Sequence, residues 1–303
     1  MTAIPRTTFL GASRAQQARL AAAYGRLEQA NIRVSTGRAY ARPSESPSSA
    51  SRAAMLHEQL DQLETFGRAI DDASSRLAIA DSKLGQAMEL YHRATVLATQ
   101  GASSLSNPDA RQSIRAEVVQ IRDSLLAIAN STYLDEALFA GFAAGTAVTY
   151  DVPTSTYVFT GTAADVIDRR IGSGETVRAN TTAAEAFTTG PAGIDVFATL
   201  DALAAALAAD DTTAIQAALP AMNELRGALS AAQSRIGSSA NRVESAQARN
   251  AAITITLDAE RSRVEDVDLA EAITDQGRLE VAYNAALGVS AKAMTTTLLD
   301  WLR

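Results

Sequence analysis

The chain has 303 residues and a net charge of −7, enough length for two or three structural regions and an acidity that disfavours nucleic acid as a partner. Hydrophobic residues make up 47% but aromatics only 5%, with much alanine in the apolar count, which favours narrow helix–helix seams over a thick globular interior. Cysteine is absent, excluding disulfides and thiolate chemistry, and no apolar run reaches the roughly 18 residues of a membrane span.

The start, Met1 to Leu10, has no basic segment followed by an apolar one, so no cleaved signal peptide is expected. That leaves a cytosolic protein or one exported by a machine that needs no such signal. Charge is unevenly placed. Residues 1–55 hold eight arginines against Glu28 and Glu45, whereas 258–280 hold eight acids against three arginines. The two ends are expected to attract each other.

A first helix is predicted over about 10–34, where Leu20, Ala23, Leu27, Ala30 and Val34 alternate spacings of three and four, as a coiled-coil seam does. Gly37 suits the left-handed position after its end, and Pro43 and Pro47 among serines mark a loop. A second helix is predicted over about 49–100. Its seam reads Leu56, Leu60, Leu63, Phe66, Ile70, Ala73, Leu77, Ala80, Leu84, Ala87, Tyr91, Ala94 and Ala98, a rod of about 75 Å at 1.5 Å per residue. Asn107 and Pro108 then open a third helix carrying Ile114, Val118, Ile121, Leu125 and Ile128.

Between Gly141 and Thr182 the pattern changes to short strands, at 147–151, 156–160, 165–170 and 176–180, punctuated by Pro153, Gly161 and Gly172-Ser173-Gly174. The last of these has a Gly-x-Gly core but sits between strands, so it is a turn and not a phosphate loop. Helix returns over 196–208 and again after Asp210-Asp211-Thr212, where Pro220 is expected to kink or restart it. A three-four ladder then runs Leu225, Leu229, Ala232, Ile236, Ser239, Val243, Ala246, Asn250, Ile253, Leu257, Glu260, Val264. The final helix, 266–303, carries Leu279, Tyr283, Leu287, Met294, Leu298 and Trp301 along one side.

The order is palindromic. The fold expected is mainly α: a long antiparallel helical rod, a coiled-coil hairpin with both termini at one end and a small β-rich insertion at the tip. The domains would be 1–45 plus 268–303 as terminal helices, 46–140 plus 191–267 as the rod, and 141–190 as the insertion.

Three stretches carry a family resemblance. Residues 34–50, VSTGRAYARPSESPSSA, resemble the loop after the first helix of bacterial flagellins. Residues 261–272, RSRVEDVDLAEA, resemble that family's C-terminal acidic motif. The combination of 137–142 (ALFAGF), 157–161 (YVFTG) and 171–177 (IGSGETV) resembles the branch at the hook–filament junction, the third hook-associated protein, more than ordinary flagellin. The ending TLLDWLR agrees. Serines replace commoner acids in the Pro43–Ser49 loop, which puts in question any salt bridges the family makes there.

The resemblance implies a structural subunit and no enzyme. It would be exported unfolded by the flagellar secretion apparatus and placed outside the cell in the flagellum, linking hook to filament. Its termini would be disordered in the monomer and pair as coiled coils on assembly, burying Leu20, Leu27, Val34, Leu279, Tyr283, Leu287, Met294, Leu298 and Trp301. Partners would be copies of itself in a ring, the hook-side hook-associated protein, flagellin, and an export chaperone at the C-terminal segment, with no nucleic acid and no membrane insertion. A short flagellin forming the filament is the alternative within the family. A cytoplasmic coiled-coil signalling module is the alternative outside it.

No catalytic residue, metal ligand or cofactor site is expected. His57 and His92 lie 35 residues apart on one helix and cannot meet. Glu265-Asp266-Val267-Asp268 lacks the glycine turn and closing glutamate of a calcium loop, and reads as a helix start with contacts to arginine. The Arg-rich start reads as an assembly helix and not a transit peptide. The apolar C-terminus reads as a buried end of an assembly, or as packing on Phe9 and Leu10.

Overall fold

In the computed structural model, residues 9–103, 106–189 and 193–301 are described. Their order is α1 (Phe9–Thr36), α2 (Pro47–Ala102), α3 (Pro108–Ala129), β1 (Thr132–Tyr133), β2 (Glu136–Ala137), β3 (Val148–Asp151), β4 (Thr156–Phe159), β5 (Asp168–Gly172), β6 (Glu175–Arg178), α4 (Ala183–Phe187), α5 (Val196–Ala208), α6 (Thr212–Glu265) and α7 (Leu269–Trp301). The fold is mainly α with a small β insertion. Two compact units share the chain, residues 63–252 in one and residues up to 62 with those from 253 in the other. These boundaries cut α2 and α6 at mid-helix.

The 63–252 unit holds a continuous apolar core. From Ile70 to Ala98 the expected rungs of α2 are all buried, alongside Leu225, Leu229, Ala232, Ile236, Val243 and Ala246 of α6. α3 packs on α5, pressing Ile114, Val118, Ile121 and Leu125 toward Phe197, Leu200, Leu203 and Leu207. Burying a Leu or Ile contributes about 1.5–3 kcal/mol, several times an alanine's share, so the large rungs hold the seams and the alanines let them close.

α6 departs from expectation twice. It runs unbroken through Pro220. The lost hydrogen bond and ring clash there are outweighed by the anchors on either side, Ile215 and Met222, both 0% exposed. Further on, Ile253 leaves the ladder and is 47% exposed, while Thr254 and Leu257 are half-buried. Two consecutive steps of four, Ala246 to Asn250 to Thr254, shift the phase of the seam. Asn250 sits at that shift and donates Nδ2–H to the carbonyl of Leu63 at 3.0 Å.

The β region forms three separate antiparallel pairs. β3–β4 and β5–β6 match expected strands, and Gly174 (φ +74°) makes the tight turn between β5 and β6. Pairing starts earlier than residue 141, because β1 and β2 form a hairpin around Leu134 and Asp135, both at positive φ. Strands of two residues carry no period to read. α4 is likewise short, fixed by a capping box in which Thr182 and Glu185 satisfy each other's backbone N–H groups. A run of ring contacts from Tyr150 through Tyr157, Phe197 and Phe187 to Phe139 joins β3, β4, α4 and α5.

Arg111 closes the end of α2. Its guanidinium donates to the carbonyls of Gly101 and Ser103, both at 3.0 Å, and to Asp210 at 2.5 Å, while the side chain is only 6% exposed. This one buried cation holds together the carbonyl of Gly101 in the last turn of α2 and that of Ser103 just beyond it, which also accepts the N–H of Ser106.

Candidate assembly surface

In the other unit, α1 and α7 lie side by side. Three contacts fix an antiparallel register: Gln16 to Ser290 at 3.3 Å, Tyr24 to Tyr283 with ring centroids 5.7 Å apart, and Asn31 to Gln276 at 2.9 Å. The α1 seam is the expected one, with Leu20, Ala23, Leu27 and Val34 half-buried and Ala30 buried. On α7 the seam is Ala272, Gln276, Leu279, Tyr283, Ala286 and Ser290. Its polar rungs, Gln276 and Ser290, bond across the pair and escape a search for apolar periodicity.

Among the expected interface residues the structure brings Leu20, Leu27, Val34, Leu279 and Tyr283 to this seam, each only half-buried. Leu287 is 39% exposed. Met294, Leu298 and Trp301 belong to α7, but their side chains lie outside the described residues, as do those of Phe9 and Leu10.

Where α1 and α6 end, the chain is tied to itself. Gly37 takes φ +69° and accepts a backbone bond from Val267 at 2.9 Å, while Ala39 donates to the carbonyl of Glu265 at 2.7 Å. Asp268 then opens α7, its carboxylate accepting the N–H groups of Ala270 and Glu271. The acidic motif is a helix start, as expected, but its link to the arginine-rich loop runs through main chain. Arg38 and Asp266 meet as a backbone bridge.

Two side-chain contacts in this unit join α2 to α6, beside the ion pairs Arg261–Asp258 and Arg278–Asp275 within helices. Arg52 reaches Glu260 at 3.3 Å, and His57 reaches Glu265 at 3.0 Å. The expected attraction between the basic first helix and the acidic last segment produces no ion pair between α1 and α7 among the described residues. The two charge sets are offset across the seam, as the register sets them.

α7 is apolar on more than the side it gives to α1. Leu269, Ile273, Val281 and Val289 are 51%, 54%, 70% and 65% exposed. At 100° per residue, Val281 points nearly opposite the seam, and Leu269 and Val289 lie on opposite flanks. On α2 and α6 of the same unit, Met55 and Ile255 are also exposed, at 58% and 71%. A helix that is apolar on several sides is normally enclosed. No group of three or more His, Asp or Glu that could hold a metal ion occurs among the described residues, and no described helix is long and apolar enough to cross a membrane. The chemistry of this surface is that of burial.

Comparison with known proteins places these features. Residues 9–144 match the family model of the bacterial flagellin N-terminal helical region, and 219–302 match that of the C-terminal helical region. No curated protein matches by sequence. Among solved structures, the chain is similar to one from Vibrio parahaemolyticus described as a flagellar hook-associated protein (TM-score 0.67, 20% identity, 73% of this chain and 100% of that one). It is also similar to FlgL of Xanthomonas campestris (TM-score 0.62, 17% identity, 68% and 99%) and to the flagellar junction protein FlgL of Legionella pneumophila (TM-score 0.60, 14% identity, 71% and 99%). At these identities the likeness is one of fold.

Proposed function

Because this chain belongs to the bacterial flagellin family, whose members are structural proteins of the flagellum and not enzymes, we propose that it is the junction subunit linking hook to filament. The observation that carries the reading is the α1–α7 pair, with a seam only half-buried and an α7 whose remaining sides are apolar and exposed. Two helices alone leave each rung open on one side, and ordering a residue costs about 1–2 kcal/mol of backbone entropy. Neighbouring subunits would supply the missing walls.

On this reading the terminal segments, 1–45 and 268–303, order fully only on incorporation. Leu20, Leu27, Val34, Leu279, Tyr283, Leu287, Met294, Leu298 and Trp301 are then enclosed. Residues 46–267 are folded beforehand. Export runs through the flagellar secretion apparatus, and an export chaperone covers the C-terminal segment until then. The partners in place are copies of itself in a ring, a hook-associated protein on the hook side and flagellin on the other. Similarity over 68% and 71% of this chain to FlgL of Xanthomonas campestris and to the flagellar junction protein FlgL of Legionella pneumophila supports this choice over a filament subunit, and membership of the family speaks against the cytoplasmic signalling module.

Deleting the gene tests it. Hooks without filaments, with flagellin shed into the medium, are expected. Normal filaments, or this protein present in sheared filaments in amounts matching flagellin, would overturn the junction role.

A further inference from the structure

The β1–β2 hairpin turns through Leu134 and Asp135 at φ +49° and +64°, a conformation that glycine or asparagine takes with least strain. Leucine does not serve the core there, since it is 78% exposed. The Asp135 carboxylate beside it is exposed and has no hydrogen bond or ion pair among the described residues. The hairpin is seated on α2. Buried Arg76 donates Nη1–H to Glu136 at 3.4 Å, and its guanidinium lies 6.0 Å from the ring centroid of Tyr133. The result is an apolar tip edged with acid. Phe142 and Val152 are exposed about as far, at 69% and 74%. Phe142 has no acid beside it in sequence, however, and Asp151 beside Val152 accepts from Thr154 at 2.5 Å.

In the same unit, β4 with the loop after it, α4 and α6 line a cavity of about 560 Å³. Phe159, Ala163, Ala184, Ala228 and Ala231 make its apolar walls, and the alanines leave the room open. Arg235 also lines it, exposed and without an ion pair among the described residues. The carboxylate nearby, Glu185, is held at both oxygens by Arg178, at 3.0 and 2.5 Å, so two arginines share one acid and a positive charge is left over. An apolar side chain with a carboxylate next to it suits such a cavity. The chain does not fill its own. Leu134 and Arg235 belong to one compact unit, whose fold holds the hairpin on α2 and leaves Leu134 out of the cavity lining. We infer that the Leu134 tip of one copy docks in this cavity of the next copy, with Asp135 facing Arg235. Hairpin and cavity are different patches, so the contact is head-to-tail and can repeat around a ring. It adds a contact by the 63–252 unit to those made by the terminal helices.

This rests on the proposed ring of copies, and the experiment separates the two. The chain has no cysteine, so Leu134→Cys/Ala231→Cys puts one thiol on the tip and one in the cavity. Flagella sheared from cells carrying that variant are treated with a mild oxidant. A ladder of multiples of the 31.7 kDa chain is expected, linked from 134 to 231, and none from either single variant. No ladder, or dimers from Leu134→Cys alone, overturns the inference. Absence of the parent chain from sheared flagella instead overturns the junction role. As a second arm, Asp135→Arg and Arg235→Glu each lower incorporation about tenfold or more, and the combined variant returns it toward the parent level. Strain added by either substitution persists in the combined chain, so rescue reads the contact itself. Failure of the combined variant to recover counts against the pair.

Discussion

The backbone N–H of Val267 donates to the carbonyl of Gly37 at 2.9 Å, joining the end of the first helix to the start of the last across 230 residues of chain. Both residues sit at helix breaks, so a local feature of each half is fixed by the other. The loop resembling the flagellin N-terminal motif and the acidic C-terminal motif are thus one structural element.

Gly37 is held at φ +69° with nothing within 4 Å of where a Cβ would stand. Gly37→Ala is therefore expected to cost about 1–2 kcal/mol from the backbone alone, and Gly37→Asn less. Denaturant unfolding compared across the three chains checks this. Equal midpoints for Ala and Gly would show that the left-handed turn is not required.

Gly141 combines a positive φ of +67° with close packing, since a Cβ there would lie 2.5 Å from Cβ of Asp165. Strain and overpacking add, so Gly141→Ala is expected to lose roughly 2–4 kcal/mol. Gly145, at φ +98° with open space around it, serves as the control. Its alanine variant should suffer only the backbone part.

Arg111→Met removes donors from two helix-end carbonyls and from Asp210. Breaking a buried pair costs about 3–5 kcal/mol, and the half-exposed Asp210 places this case at the lower end. Lysine, a point charge without the planar fork, should restore only part of the loss. Full rescue by lysine in urea titrations would mean that charge alone matters.

Burial pushes the Glu185 carboxyl up, but the Arg178 guanidinium at 2.5 and 3.0 Å, the Thr182 N–H and the nearby Arg235 outweigh it and hold the group below the usual carboxylate range. A depressed folded value stabilises the protein above the unfolded value of about 4.5, and that contribution is lost as pH falls through the folded value. Burial raises Asp195, so its contribution has the opposite sign. The stability gap between the parent chain and Glu185→Gln should shrink on acidification below about pH 4.5. A gap constant down to pH 3 would contradict the assignment.

Amide hydrogen exchange on the purified monomer should be slow in α3 and α5, whose buried faces pack on each other, and fast along α1 and α7. Slow exchange at both ends would contradict ordering on assembly.

The sequence by itself determined the helices and their seams. Rungs such as Leu56, Ile70, Leu77, Leu84 and Tyr91 belong to a ladder of three- and four-residue steps over more than 40 residues, from Leu56 to Ala98, and a rhythm that long has no alternative reading. The same holds for the cap at Asn107 and the turn at Gly174, where the local chemistry suffices. The α1–α7 seam was legible only in part: periodicity marked Leu20, Leu27 and Leu279 but passed over Gln276 and Ser290, which are polar rungs.

Only the tertiary structure decided where patterns yield to partners. It carried α6 through Pro220, because Ile215 and Met222 anchor both sides, and it moved Ile253 out of the seam at a phase shift that spacing alone does not reveal. It also set the register of α1 on α7, which brings the polar Gln276 and Ser290 into the seam. Composition announced opposite charges at the two ends. Which acids a cation meets depends on the relative sliding of two helices, and no single helix encodes that.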